Sequence, residues 1–181
     1  MFEGYAGTSE SGFRAEVEAE QALIRGERLL AMTSDHEHRA LAGPAADEAA
    51  RRLDRFAERA RFQGTVVTDP HRIKRLMRRH DPYIHPGDYV TCAFNPDRAL
   101  CQQRTDSSGT VRPSPSTCQP LDCRNAALTA ENTNALHSEA ARMDAELASR
   151  PTLPPLLLHQ LTDRRNRIVA FLDRHTATDQ P

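Results

Sequence analysis

The sequence predicts a mainly α fold, in which helical hairpins flank an irregular four-cysteine segment. Three observations carry this. Apolar residues recur at helical spacing up to about residue 80 and again beyond residue 128. Between them that periodicity is lost, and prolines at 82, 86, 96, 113, 115 and 120 punctuate the chain. All four cysteines, at 92, 101, 118 and 123, fall inside this stretch.

The first helix is expected to leave the loop Ser9-Glu10-Ser11-Gly12 and run to about Met32, with Phe13, Val17, Ile24 and Ala31 as its apolar positions. Glu16, Glu18, Glu20 and Glu27 then form a solvated face with no paired-carboxylate chemistry. After a polar loop holding His36 and His38, Gly43-Pro44 opens a second helix. Its apolar face is Ala45, Ala49, Leu53, Phe56 and Ala60, and it is expected to hairpin against the first. Thr65-Val66-Val67-Thr68 is a short β-branched stretch. Asp69-Pro70 supplies an N-cap and an N1 proline for a third helix ending near His80, with Ile73, Leu76 and Met77 as its apolar stripe.

In the irregular middle the residues allow at most a small strand around Tyr89 to Phe94. Beyond it, Leu136, Ala140, Met143 and Leu147 mark one helix, capped by Thr129 and closed by Pro151. Leu157, Leu161, Ile168, Phe171 and Leu172 mark another, and the two read as an antiparallel hairpin. The organisation is therefore a helical segment over 1–80, a cysteine-rich segment over 81–128, a helical hairpin over 129–175 and a disordered tail over 176–181.

With 38% hydrophobic residues, 5% aromatic and no Trp, the chain has modest apolar surface to set against the entropy of ordering it. A further fastening is expected. The spacing Cys92-x8-Cys101-x16-Cys118-x4-Cys123 gives two pairs separated by a loop, which suits a tetrahedral structural zinc held by four thiolates with no open position. Unmetallated thiols and disulfides are the alternatives, and His80 or His85 can substitute as a ligand. A reducing compartment favours metal over disulfides. The start of the chain has no basic segment followed by an apolar run, and no stretch is long and apolar enough to span a bilayer, so the reading is cytoplasmic with no membrane partner.

The net charge of -1 conceals an asymmetry. Residues 51–80 carry 10 bases and 3 acids, whereas residues 1–50 carry 10 acids and 4 Arg. On the third helix Arg72, Lys74, Arg75, Arg78 and Arg79 cover the surface left by the apolar stripe, with Arg51, Arg52, Arg55, Arg59 and Arg61 on the helix before. Such a block can lie along a DNA backbone, where phosphate contacts position without reading sequence. It can equally neutralise the acidic first helix. No Gly-rich phosphate loop, Gly-x-Ser-x-Gly elbow or His-Glu-x-x-His helix is present, so a self-sufficient enzyme is not expected.

Several strings together resemble the C-terminal region of large bacterial site-specific integrases of the tyrosine recombinase (phage integrase) family. They are Tyr5-Ala6-Gly7-Thr8-Ser9-Glu10-Ser11-Gly12-Phe13, Gly43-Pro44-Ala45-Ala46, His85-Pro86-Gly87, Cys92-Ala93-Phe94-Asn95-Pro96 through Ala99-Leu100-Cys101, and Cys118 through Cys123. The resemblance implies an upstream catalytic domain that breaks and rejoins DNA through a tyrosine activated by Arg, Lys, His and a second Arg. Those elements do not precede Tyr5, which corresponds either to that nucleophile or to a packed linker tyrosine. The expectation is a truncated integrase segment, zinc-stabilised, contacting DNA, a catalytic domain or integrase protomers, and inactive alone. A protein-interaction adaptor with no nucleic-acid role is the alternative.

Overall fold

The computed structural model describes residues 10–35, 37–62, 69–102, 113–149 and 153–176, and these are mainly helical. Five helices, α1 (Glu10–Ser34), α2 (Ala46–Phe62), α3 (Pro70–His80), α4 (Ala130–Ser149) and α5 (Pro155–Thr176), surround a small antiparallel sheet of β1 (Ile84–His85), β2 (Thr91–Ala93) and β3 (Ala126–Ala127). In the middle segment single 3-10 turns begin at the prolines of Pro96–Arg98, Pro115–Thr117 and Pro120–Asp122, and a further one is Leu100–Gln102. Tyr5, His36, Thr65 to Thr68, Pro151 and the tail from residue 177 lie outside the described residues.

The third helix forms as its sequence dictates. Asp69 is extended and accepts from the His71 backbone N–H at 3.0 Å, Pro70 occupies the first turn, and Ile73, Leu76 and Met77 are buried. The α2 face of Ala45, Ala49, Leu53, Phe56 and Ala60 is buried as expected. The α1 face is not. Phe13, Val17, Ile24 and Ala31 point to solvent, while Gly26, Leu29 and Met32 are buried. The reason is steric: α1 crosses α3 at Gly26, where a β-carbon would stand 2.5 Å from Ile73 Cγ2, so the smallest residue rather than the largest marks the contact face.

The sheet separates two cores through the alternation of strand side chains. Ala127 joins the core of α1, α2 and α3 around Leu53, Phe56 and Leu76, whereas Ala126 and Leu128 join the core of α4 and α5 around Leu136, Met143 and Phe171. In the C-terminal hairpin Ile168, Phe171 and Leu172 are buried, but Leu157, expected on the same face, is exposed together with Leu156 and Leu158. The expected cap of α4 is present. Thr129 Oγ1 accepts from the Asn132 N–H, and Asn132 Oδ1 accepts from the Thr129 N–H, a reciprocal cap of the capping-box kind.

Candidate functional site

Three features bear on function: the basic face of α3, the four cysteines, and a cleft between α2 and β1. Burial of Ile73, Leu76 and Met77 fixes the rotation of α3 and turns Arg72, Arg75, Arg78 and Arg79 outward. Lys74 is half-buried and pairs with Glu20 of α1 at 2.6 Å, and Arg72 pairs with Asp69 at 3.9 Å. Arg75, Arg78 and Arg79 have no ion-pair partner among the described residues. Neutralisation by the acidic first helix is seen at Lys74, and it does not reach Arg75, Arg78 or Arg79 among the described residues.

The cysteines are brought together by the sheet and by the 3-10 turns. Cys92 lies on β2 opposite Ala126 of β3, three residues beyond Cys123. Cys92 also packs against the small core of Phe94, Ala99 and Cys101. Thr117 Oγ1 donates to the Cys101 carbonyl at 3.3 Å, which places Cys118 beside Cys101 in the chain path. No disulfide joins them. Burial pushes the Cys92 thiol up to about 12, and negative charge on Cys123, Cys118 or Cys101 adds to the shift. Cys118, exposed on its outer side, is raised by partial desolvation and by Cys101 and Cys123. The four sulfurs therefore share one electrostatic field. Even so, among the described residues no group of three or more His, Cys, Asp or Glu side chains stands in an arrangement that holds a metal ion. That includes His80 and His85; the His85 ring lies 3.1 Å from the Arg25 guanidinium instead.

The third feature escaped the sequence. An open cleft of about 720 Å³ lies between the second half of α2, the end of α3 and the turns around β1 and β2, lined among others by Arg55, Arg59, His80, Tyr83 and Asp97. Its floor is Arg52, whose guanidinium donates to the Phe94 carbonyl at 2.8 Å and pairs with Glu48, which also pairs with Arg98. Burial, with Arg55 alongside, lowers the Arg52 pKa. Arg55 uses only Nε, donating to the Arg51 carbonyl at 3.2 Å. The cleft gathers residues from three stretches of the chain, 52–59, 80–83 and 94–97, so no single local motif announces it. The one sequence signal is the i, i+4 spacing of Arg55 and Arg59, which puts both on one helix face.

No family model, no curated protein and no solved structure matches this chain.

Proposed function

We propose that this chain is a binding module for the phosphate backbone of a nucleic acid, fastened by a zinc ion on Cys92, Cys101, Cys118 and Cys123 and without chemistry of its own. One observation carries the reading: Arg75, Arg78 and Arg79 form an exposed row on a helix whose orientation is fixed by three buried side chains, and none of the three is neutralised among the described residues. Holding like charges together costs free energy in the isolated protein, and releasing counterions from a polyanion recovers it. Each phosphate neutralised contributes about -0.9 to the slope of log K against log salt on duplex DNA. The setting of site-specific recombination rests on the resemblance of the cysteine stretch and the other strings quoted above.

The test is mobility of a DNA duplex at increasing salt. Affinity is expected to fall steeply, and Arg75→Ala with Arg79→Ala to weaken binding at every sequence while reducing the salt slope by about 2. Absence of any shift at low salt overturns the reading. It would favour instead an adaptor that docks another protein, the reading supported by exposed Leu156, Leu157 and Leu158 at the start of α5.

A further inference from the structure

We infer that the cleft between α2 and β1 takes one unpaired nucleotide of a single-stranded nucleic acid, with its phosphate against Arg55 and Arg59 and its base on the ring of Tyr83. The inference deepens the nucleic-acid reading above and rests on it.

Tyr83 is the residue that needs explaining. Its φ is +54°, the left-handed region that glycine enters freely and a bulky side chain enters only under strain. The conformation is held from both sides: the Tyr83 N–H donates to Asp81 Oδ1 at 2.7 Å, and the Tyr83 carbonyl accepts from the Phe94 N–H at 2.9 Å. Glycine would satisfy both bonds without strain. The ring does not compensate by packing, because the residue is 55% exposed. Neither backbone nor burial therefore accounts for an aromatic side chain here, whereas a stacking platform at the edge of a cleft does.

The charges of the cleft fit one orientation of a nucleotide. On the α2 side, Arg55 has both terminal nitrogens without a partner among the described residues, and Arg59 is unpaired there too. Arg52 is consumed by Glu48 and the Phe94 carbonyl, so it shapes the floor and does not compete for ligand. Of the two acids lining the cleft, Asp81 is engaged by Arg25 and by the Tyr83 N–H. Asp97, exposed in the lining and carried by the turn Pro96–Arg98 rather than by α2, disfavours phosphate beside it and can accept from an exocyclic amine of a base. The volume, about 720 Å³, lies in the range of small-molecule clefts and exceeds what a single nucleotide fills. A duplex keeps its bases stacked and paired, so it can offer this cleft phosphates but no base face.

The experiment compares a fluorescein-labelled oligodeoxycytidylate with a duplex of the same length, binding to the full chain over a series of salt concentrations. Tyr83→Ala is expected to weaken the single strand roughly tenfold, the effect of losing one base-stacking contact, and to leave the duplex unchanged. Tyr83→Phe should bind as the parent does. Arg55→Ala with Arg59→Ala should weaken the single strand and lower its salt slope, which Tyr83→Ala leaves intact. Equal single-strand binding by Tyr83→Ala and the parent, with an unchanged circular-dichroism melt, overturns the cleft proposal and spares duplex binding on α3. Failure of both probes to bind the parent overturns the cleft proposal and the wider reading together.

Discussion

Gly26 of α1 and Ile73 of α3 approach so closely that a β-carbon on Gly26 would stand 2.5 Å from Ile73 Cγ2 and 2.9 Å from Met77 Cγ. In an exposed helix, replacing glycine by alanine gains up to about 1 kcal/mol of helix propensity. Here the sign is expected to reverse. The methyl group must push α1 from α3 or force Ile73 and Met77 off their rotamers, at about 1–3 kcal/mol. Gly26→Ala should therefore lower the unfolding midpoint in urea, and Gly26→Leu should lower it further. Because this contact sets the rotation of α3, loss of duplex binding should accompany loss of stability in the same variants.

Asn132 ties α4 to the sheet by bonds that use its whole amide. Its Nδ2 donates to the Gly87 carbonyl at 2.7 Å and the Asp88 carbonyl at 3.1 Å, and its Oδ1 accepts from Thr91 Oγ1 at 3.1 Å besides capping Thr129. The side chain is 1% exposed. Asn132→Leu leaves Thr91 Oγ1 and the Thr129 N–H buried without this partner, so a loss of about 2–4 kcal/mol is expected in chemical denaturation. A loss below about 0.5 kcal/mol would show that water replaces the amide.

The legible parts of the fold are those with punctuation. Asp69-Pro70 before α3 and Asp81-Pro82 after it bracket the helix to the residue, and the structure begins it at Pro70 and ends it at His80. The α1 face was illegible for a physical reason: apolar residues lie on both sides of that helix, and the decisive residue, Gly26, scores as no hydrophobe at all. Strands β1 and β3 have two residues each, too few for any alternation to register, so only the region of β2 was readable. Of the candidate site, the α3 arginines and the cysteine spacing could be read directly. The cleft could not, because Tyr83 owes its place to a backbone angle held by Asp81 and by Phe94, which follows β2.

His175 makes the C-terminal hairpin sensitive to pH. Its ring packs edge-on against Phe171 with centroids 4.8 Å apart. Burial there, and Arg174 beside it, lower its pKa below the ordinary value of 6.5. The folded state thus takes up the proton at lower pH than the unfolded state does. Stability is full above about pH 6.5 and declines as pH falls through the window between the two values. Thermal melts at pH 8 and pH 5.5 should differ by a few degrees in the parent, and His175→Gln should reduce that difference. An undiminished difference in the variant would assign the pH dependence to other groups.

The four cysteines make the sharpest prediction, because the proposed zinc would compete with protons for the same sulfurs. With Cys92 pushed up to about 12, its thiol keeps its proton at neutral pH. A divalent cation reverses that preference and makes ionisation favourable. Zinc binding should therefore release protons, that of Cys92 among them, and its apparent affinity should rise steeply from pH 6 to pH 8. Purified protein is expected to carry close to one zinc per chain, and strong chelator should lower its melting temperature by several degrees, since metal binding adds to folding free energy. Cys101→Ser, which removes one of the four proposed ligands, should abolish both the metal and the chelator effect. A chain with no metal and a melt indifferent to chelator would leave the cysteines as packed thiols. The basic face of α3 would then be the sole support of the binding reading, since its orientation comes from Ile73, Leu76 and Met77 rather than from the sulfurs.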